Sequence, residues 1–276
     1  MKNFEEMGVY EYVSRAEALR SSRGKLVGVR WVDVLKGDLV RSRLVAQEFA
    51  SKEAREDLFA ATPPLSATKY VISEVASRGR DGPHEWRVMV LDVKRAFLYG
   101  DIDDEIYIEL PKEDPMYGKG FVGRLIKAMY GTRAAPLVWQ KVVRRTMLAL
   151  GFQMNPIFPC LYYHPEYDVT VITHVDDFLC SGEKKHLLWL REMISLEFDL
   201  KGDVLGNLPD EKPGISFLGR TIRITGEGIE LESDPKHAKI LLEEWKMEDA
   251  KSVSSPGTSE EKAKGEENGG GATWRW

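Results

Sequence analysis

Apolar and polar residues alternate over residues 25–32 and again over 39–49, either side of the turn Lys36-Gly37-Asp38, a pattern that predicts a β-hairpin. Thr62-Pro63-Pro64-Leu65 breaks the chain. Val71, Ile72 and Val75 then recur at helical spacing and predict a helix over 68–78 that stops at Gly79. Val88-Met89-Val90-Leu91 is a short continuous apolar run of the buried-strand type, and Asp92 follows at its end. Residues 107–111 predict a further short strand. Residues 136–150 predict a helix that opens on Pro136 and halts before Gly151. Alternation over 169–174 and a second run over 178–180 flank Val175-Asp176-Asp177, which predicts a hairpin with two carboxylates at its tip. Residues 187–198 predict an amphipathic helix, and 214–224 with 229–231 return to strand patterning. Residues 1–23 read as a charged lead-in with a helix over 11–21. Strands and helices mixed without strict βαβ alternation indicate an α+β fold.

The chain has 276 residues, of which 43% are hydrophobic, so it exceeds a single-domain length of roughly 150 residues and suits one multi-lobed domain. From Ser252 onward Ser, Gly, Glu and Lys dominate, a composition unable to bury enough apolar surface, so 252–276 is expected to be disordered. The formal net charge of −5 argues at first sight against a polyanionic partner. Between Pro115 and Pro165, however, there is no Asp or Glu, while Lys119, Arg124, Lys127, Arg133, Lys141, Arg144 and Arg145 supply seven positive charges. A local basic surface is what phosphate contacts require. Ordinary solvated helix charges account for Arg144-Arg145 but not for the missing acids.

Cys160 and Cys180 lack CxxC spacing, so neither a zinc site nor a disulfide framework is indicated. The N-terminus has no apolar signal core, and no apolar run approaches the ~20 residues needed to cross a bilayer. The expectation is an intracellular chain with no membrane partner. His84, His164, His186 and His237 have no Ser or Cys at motif spacing and read as surface or structural residues.

An adjacent Asp pair proves little by itself, because Asp103-Asp104 sits in the hydrophilic run 100–105 and reads as solvated surface. Asp176 and Asp177 differ because they interrupt a strand pattern where hydration is scarce, and uncompensated buried carboxylates are expensive. Divalent cations would compensate them. Asp92, at a strand end, offers a third carboxylate, although a turn or capping residue there has the same sequence signature. Hard cations such as Mg2+ take oxygen ligands and keep positions open for phosphates. Two ions roughly 3.5–4 Å apart serve both the attacking and the leaving oxygen in phosphoryl transfer.

Residues 91–101 (LDVKRAFLYGD), 129–139 (MYGTRAAPLVW), 174–177 (HVDD) and 217–219 (FLG) together resemble the reverse transcriptase domain of copia-type LTR retrotransposon Pol polyproteins, in order and in spacing. Residues 41–49 resemble that family's fingers segment, and 234–242 its stretch beyond the palm, so the resemblance runs from about 24 to 256. It implies a right-hand polymerase fold with fingers at about 24–85 and 111–138, palm at about 86–110 and 139–231, and a partial thumb at about 232–251. It implies an RNA-directed DNA polymerase that joins deoxynucleoside triphosphates to a primer on an RNA or DNA template. Asp92, Asp176 and Asp177 would be catalytic and, with the backbone carbonyl of Val93, would hold two Mg2+ ions, with Mn2+ as an alternative.

By motif position, Phe97 would close off the sugar 2′ position, with a core aromatic as the competing reading. Tyr130, Gly131 and Arg133 would contact template and incoming nucleotide, although Gly131 to Pro136 also reads as a plain turn. Arg41 and Arg43 would clamp a triphosphate or else lie on a solvated strand edge. His174 and Val175 would meet the primer end, and Phe217, Leu218 and Gly219 would grip the primer strand or form an ordinary buried hairpin. His174 stands where the family commonly has Tyr, and the link from Phe198 to Phe217 is longer and more polar than usual. RNase H and integrase regions are absent from this chain. The alternative is a truncated, inactive relic that keeps the fold and at most binds nucleic acid. The implied setting is the cytoplasm, within a virus-like particle, or the nucleus.

Overall fold

The apolar run around Met89 is buried because helices cover one side of its sheet while a helix and a second sheet cover the other. The computed structural model describes residues 2–49, 61–79 and 85–251. In chain order its strands are β1 (Tyr10–Ser14), β2 (Lys25–Val27), β3 (Val29–Lys36), β4 (Leu39–Ala46), β5 (Trp86–Val93), β6 (Ile106–Ile108), β7 (Phe121–Leu125), β8 (Gln153–Met154), β9 (Leu161–His164), β10 (Val169–His174), β11 (Asp177–Glu183), β12 (Leu200–Leu205), β13 (Gly214–Phe217), β14 (Arg220–Ile224) and β15 (Ile229–Leu231). Its helices are α1 (Lys2–Glu6), α2 (Arg15–Ala18), α3 (Leu65–Arg78), α4 (Ala135–Ala149), α5 (Lys184–Ser195) and α6 (Pro235–Glu244).

The central sheet has six strands in the order β12-β5-β11-β10-β9-β8, antiparallel throughout. Side chains alternate across it. Met89, Leu91 and Val93 point to one face and pack with Trp139 and Val143 of α4 and with Leu187, Leu190 and Ile194 of α5. Val88, Leu179 and Ile172 point to the other, where Val71, Ile72 and Val75 of α3 meet Ile215, Phe217 and Ile222 of the three-stranded sheet β13-β14-β15. Strands covered on both faces lose the polar alternation of half-exposed ones, which is why β5 reads as a continuous apolar run.

A second sheet, β1-β7-β6-β2, contains the parallel pair β2 and β6. The hairpin β3–β4 forms a separate two-stranded ribbon, registered from Val29↔Ala46 to Lys36↔Leu39. Its outer half is open to solvent at Leu35, Leu39 and Val40, whereas Leu44 and Ala46 near its base are buried. That base is fastened to the loop before α4: Ala46 N–H donates to the Tyr130 carbonyl at 2.7 Å, and Glu48 N–H to the Gly131 carbonyl at 3.3 Å. Residues from Asp234 onward form a separate unit, in which α6 starts with an Asp234 side chain accepting from Lys236 N–H at 2.9 Å.

The hairpins at 29–46 and 169–183 and the helices α3, α4 and α5 agree with the sequence pattern. The expected helix over 11–21 does not form. Residues 10–14 are a strand paired to β7, and only Arg15–Ala18 are helical. Tertiary contacts decide this: the hydroxyls of Tyr10 and Tyr12, two residues apart on one side of the strand, both donate to the buried Asp114. Strands β7, β8, β9 and β12 have no counterpart in the sequence pattern. The expected disordered tail and His84 lie outside the described residues.

Candidate active site

Three antiparallel strands set the site. Asp92 on β5 stands directly opposite Asp177 on β11 and, on its other side, opposite Lys201 on β12. Residues paired in this way carry their side chains on the same face, about 4.5–5.5 Å apart at Cβ, so Lys201, Asp92 and Asp177 form a row. Asp176 is tied in by backbone, since Val93 N–H donates to its carbonyl at 2.8 Å. Asp92 and Asp177 are thus cross-strand neighbours, and the backbone of Asp176 is joined to Val93.

Asp176 sits in the two-residue turn between β10 and β11. Val175, its neighbour in the turn, has φ 53°, left-handed backbone that a β-branched residue rarely adopts. Such strain persists only where the surroundings impose it. Here the buried Trp139 of α4 donates its indole N–H to the Val175 carbonyl.

Asp92, Val93 and Asp176 line a cavity of about 280 Å3 together with Arg41, Arg43, Lys94 and Arg95. Tyr130 lines it as well, with the Arg43 guanidinium 5.7 Å from its ring centre. Burial, then the nearby Asp176, push the Tyr130 phenol above its ordinary range, against the pull of Arg43 and Arg41. Lys94 and Arg95 are each held by Asp199 at 2.9 Å. The cavity therefore joins carboxylates suited to cations with basic groups suited to phosphate oxygens.

The other candidate residues fall around this cavity or away from it. Phe97 is 9% exposed and packs behind Tyr130, ring centres 4.7 Å apart, without reaching the cavity wall. Gly131 has φ +85°, and a Cβ there would lie 1.9 Å from the Ala46 carbonyl oxygen, so glycine is demanded by the approach of β4. Arg133 N–H donates to Glu48 at 2.8 Å. His174 is half-buried, and its Nδ1 has no hydrogen-bond partner. Phe217 is 2% exposed and fills the core beneath the sheet, so the buried-hairpin reading holds for its ring. Leu218 (φ 49°) and Gly219 (φ 75°) form the turn beyond it. His164, stacked on Tyr167 and bonded through both ring nitrogens, is structural.

Among the described residues no trio of His, Cys, Asp or Glu side chains is arranged to hold a metal ion. The Asp92 carboxylate is instead paired with Lys201 Nζ at 2.9 Å. The donor set nonetheless suits a hard divalent ion: all its atoms are oxygens, and two carboxylates line one cavity together with Val93. Sequence reasoning missed Lys201, Lys94 and Arg95. The last two were signalled by their place directly after Asp92; nothing local marked Lys201.

The acid-free segment is less basic in space than in sequence. Arg124 meets Glu11 at 3.3 Å, Lys127 meets Asp101 at 2.6 Å and Arg145 meets Glu197 at 2.6 Å, so at least three of the seven cations are paired with acids from elsewhere. Among the described residues no helix is long and apolar enough to cross a membrane.

Residues 9–259 match the family described as reverse transcriptase (RNA-dependent DNA polymerase). The chain belongs to that family. Among relatives of this reverse transcriptase chain, the Retrovirus-related Pol polyprotein from transposon TNT 1-94 of Nicotiana tabacum is 30% identical over 93% of the chain and 19% of the relative. The Retrovirus-related Pol polyprotein from transposon RE2 of Arabidopsis thaliana is 29% identical over 84% of the chain and 16% of the relative. The chain thus spans less than a fifth of the length of these curated relatives, which are of the copia type its motifs resemble. Among solved structures, telomerase from Candida albicans in complex with a fragment of telomeric RNA aligns at 12% identity and a TM-score of 0.48, over 84% of this chain and 48% of that one. The mixed sheets and helices make an α+β fold, and the reverse transcriptase family generally uses divalent metal ions.

Proposed function

We propose that this chain is an RNA-directed DNA polymerase domain that joins a deoxynucleoside triphosphate to a primer 3′-hydroxyl. One observation carries the reading: Asp92 and Asp176, distant in sequence, line a single cavity with Arg41 and Arg43. The guanidinium groups of Arg41 and Arg43 suit the triphosphate oxygens, which they can engage two at a time. Asp92, Asp176 and the Val93 carbonyl would hold divalent ions, two Mg2+ or in their place Mn2+, with Asp177 adding negative charge from the next strand. Bound there, such ions would make the primer hydroxyl a better nucleophile and neutralise the departing pyrophosphate.

Tyr130 supplies the surface against which the sugar and base rest, and Phe97 stiffens it from behind. Backed in this way by Phe97, the Tyr130 ring would crowd the sugar 2′ position and favour deoxyribonucleotides. Val175 and His174 at the turn, Leu218 and Gly219 at the second hairpin, and Gly131 and Arg133 beside Tyr130 lie where template and primer would be held. In this reading the ribbon β3–β4 belongs to the fingers, the six-stranded sheet is the palm, and α6 begins a partial thumb. The setting is intracellular, in a particle or the nucleus.

Primer extension on poly(rA)/oligo(dT) with Mg2+, comparing wild type with Asp176→Asn, tests the proposal. Wild type should incorporate dTTP and the variant should not. Equal incorporation by both, or none by wild type, would remove the polymerase assignment.

A further inference from the structure

Asp92 is neutralised by Lys201 in a way that leaves the lysine free to depart. Its carboxylate accepts from Lys201 Nζ at 2.9 Å, and the two residues are direct cross-strand partners. Asp177 occupies the opposite partner position and Asp176 is one backbone hydrogen bond away. Three acids in one corner repel one another unless a cation stands among them, and Lys201 is the cation that reaches Asp92. The Asp92 side chain is 24% exposed and that of Lys201 is 53% exposed, so the pair lies at the surface, where ion pairs are weak and readily exchanged.

Lys201 is also free to leave. It stands on the edge strand β12 and its side chain is more than half exposed. A flexible four-carbon stem lets the ammonium leave Asp92 for solvent without moving the strand. Asp92, by contrast, is fixed between β11 and β12 and cannot follow.

We propose that Lys201 is a displaceable counter-ion: it holds Asp92 while the divalent site is empty and yields the carboxylate when a divalent ion arrives. Lys201 is thus a positioning residue that acts through Asp92, and it lowers the affinity of the site for metal by competing for its ligand. This rests on the reading of Asp92 and Asp176 as an ion site.

The test uses the full chain without nucleic acid, with Mn2+ as the probe and electron paramagnetic resonance counting the bound ion. Lys201→Met keeps the stem and removes the charge, and it should bind Mn2+ about two- to fivefold more tightly, the range expected for loss of a half-exposed ion pair. Its melting temperature should fall below wild type in EDTA and rejoin it at saturating Mn2+. Lys201→Arg, which restores the charge, should return both readings to wild type. Equal or weaker Mn2+ binding by Lys201→Met would overturn the counter-ion role while leaving the ion site intact. Unchanged Mn2+ binding by Asp92→Asn would overturn the ion site, and the exchange with it.

Discussion

Trp139 donates its indole N–H to the carbonyl of Val175, which ties α4 to the turn that carries Asp176. The bond crosses from the interior of a helix to a strained residue, and it explains how a left-handed valine is held in place. Trp139→Phe keeps most of the ring and removes the donor. It should cost about 1 kcal/mol, the usual net worth of one hydrogen bond. Because the turn is then less constrained, kcat for single-nucleotide incorporation should fall more than KM rises. Urea unfolding and single-turnover kinetics measure the two effects separately, and a stability loss with unchanged kcat would show that the turn does not depend on the tie.

Arg43 lines the cavity that holds Asp92 and Asp176 and leans over Tyr130. A charge-assisted hydrogen bond to phosphate contributes about 1.5–3 kcal/mol, and each 1.4 kcal/mol is about tenfold in affinity. Arg43→Ala should therefore raise the KM for deoxynucleoside triphosphate roughly tenfold or more while kcat changes little. Arg43→Lys should recover part of the loss, since a lysine supplies charge but not the planar fork. Steady-state kinetics with dTTP as the varied substrate decides it.

Gly131→Ala should be disruptive although the residue is exposed. The added methyl meets the Ala46 carbonyl at 1.9 Å, on backbone with φ +85°. Relief requires β4 to move off the loop, at a cost of about 2 kcal/mol or more. Hydrogen exchange at the amides of Ala46 and Glu48 should accelerate in this variant before the rest of the chain is affected, and unchanged protection there would refute the close approach.

Glu211 gives the protein an acid-sensitive joint. Burial pushes its carboxyl up, but hydrogen bonds from Lys184, from Leu208 N–H and from Arg87 outweigh that and hold it below its ordinary range. A carboxyl depressed in the folded state stabilises fully above its unfolded value of 4.5, and that stability drains away as pH falls through the lower folded value. Glu211→Ala removes the buried carboxylate that Arg87 and Lys184 both meet at 2.9 Å and should cost about 1.5–3 kcal/mol near neutral pH. Its stability should also fall less steeply than that of wild type below pH 4.5, as followed by urea titrations at several acid pH values.

What could be read from the sequence was what local patterning controls. Pro136 and Gly151 punctuate α4, Gly79 ends α3, and apolar runs on either side of Asp176 announce their hairpin. The acids at 92, 176 and 177 stood out because polar residues interrupted those runs. Strand β12 escaped because it lies at the sheet edge, where Lys201 and Asp203 mix with Leu200 and Val204 in no clean alternation. Its pairing with β5 is a long-range event, and the Lys201 contact follows only from that pairing. Charge counting along the chain failed for a similar reason: Glu11, Asp101 and Glu197 reach the acid-free segment through folding alone. The buried Phe217 shows the opposite error, where motif position suggested contact and the core claimed the ring.

The fastening of Ala46 and Glu48 to Tyr130 and Gly131 makes the foot of the β3–β4 ribbon a pivot. Measured from Ala46 at about 3.3 Å per residue, Arg43 lies about 10 Å along the lever and Arg41 about 17 Å. Any tilt of the ribbon therefore sweeps Arg41 through the longer arc, while Arg43 stays close to Tyr130. The two guanidiniums would play unequal parts in capture, the inner one keeping station and the outer one travelling to close over whatever has entered.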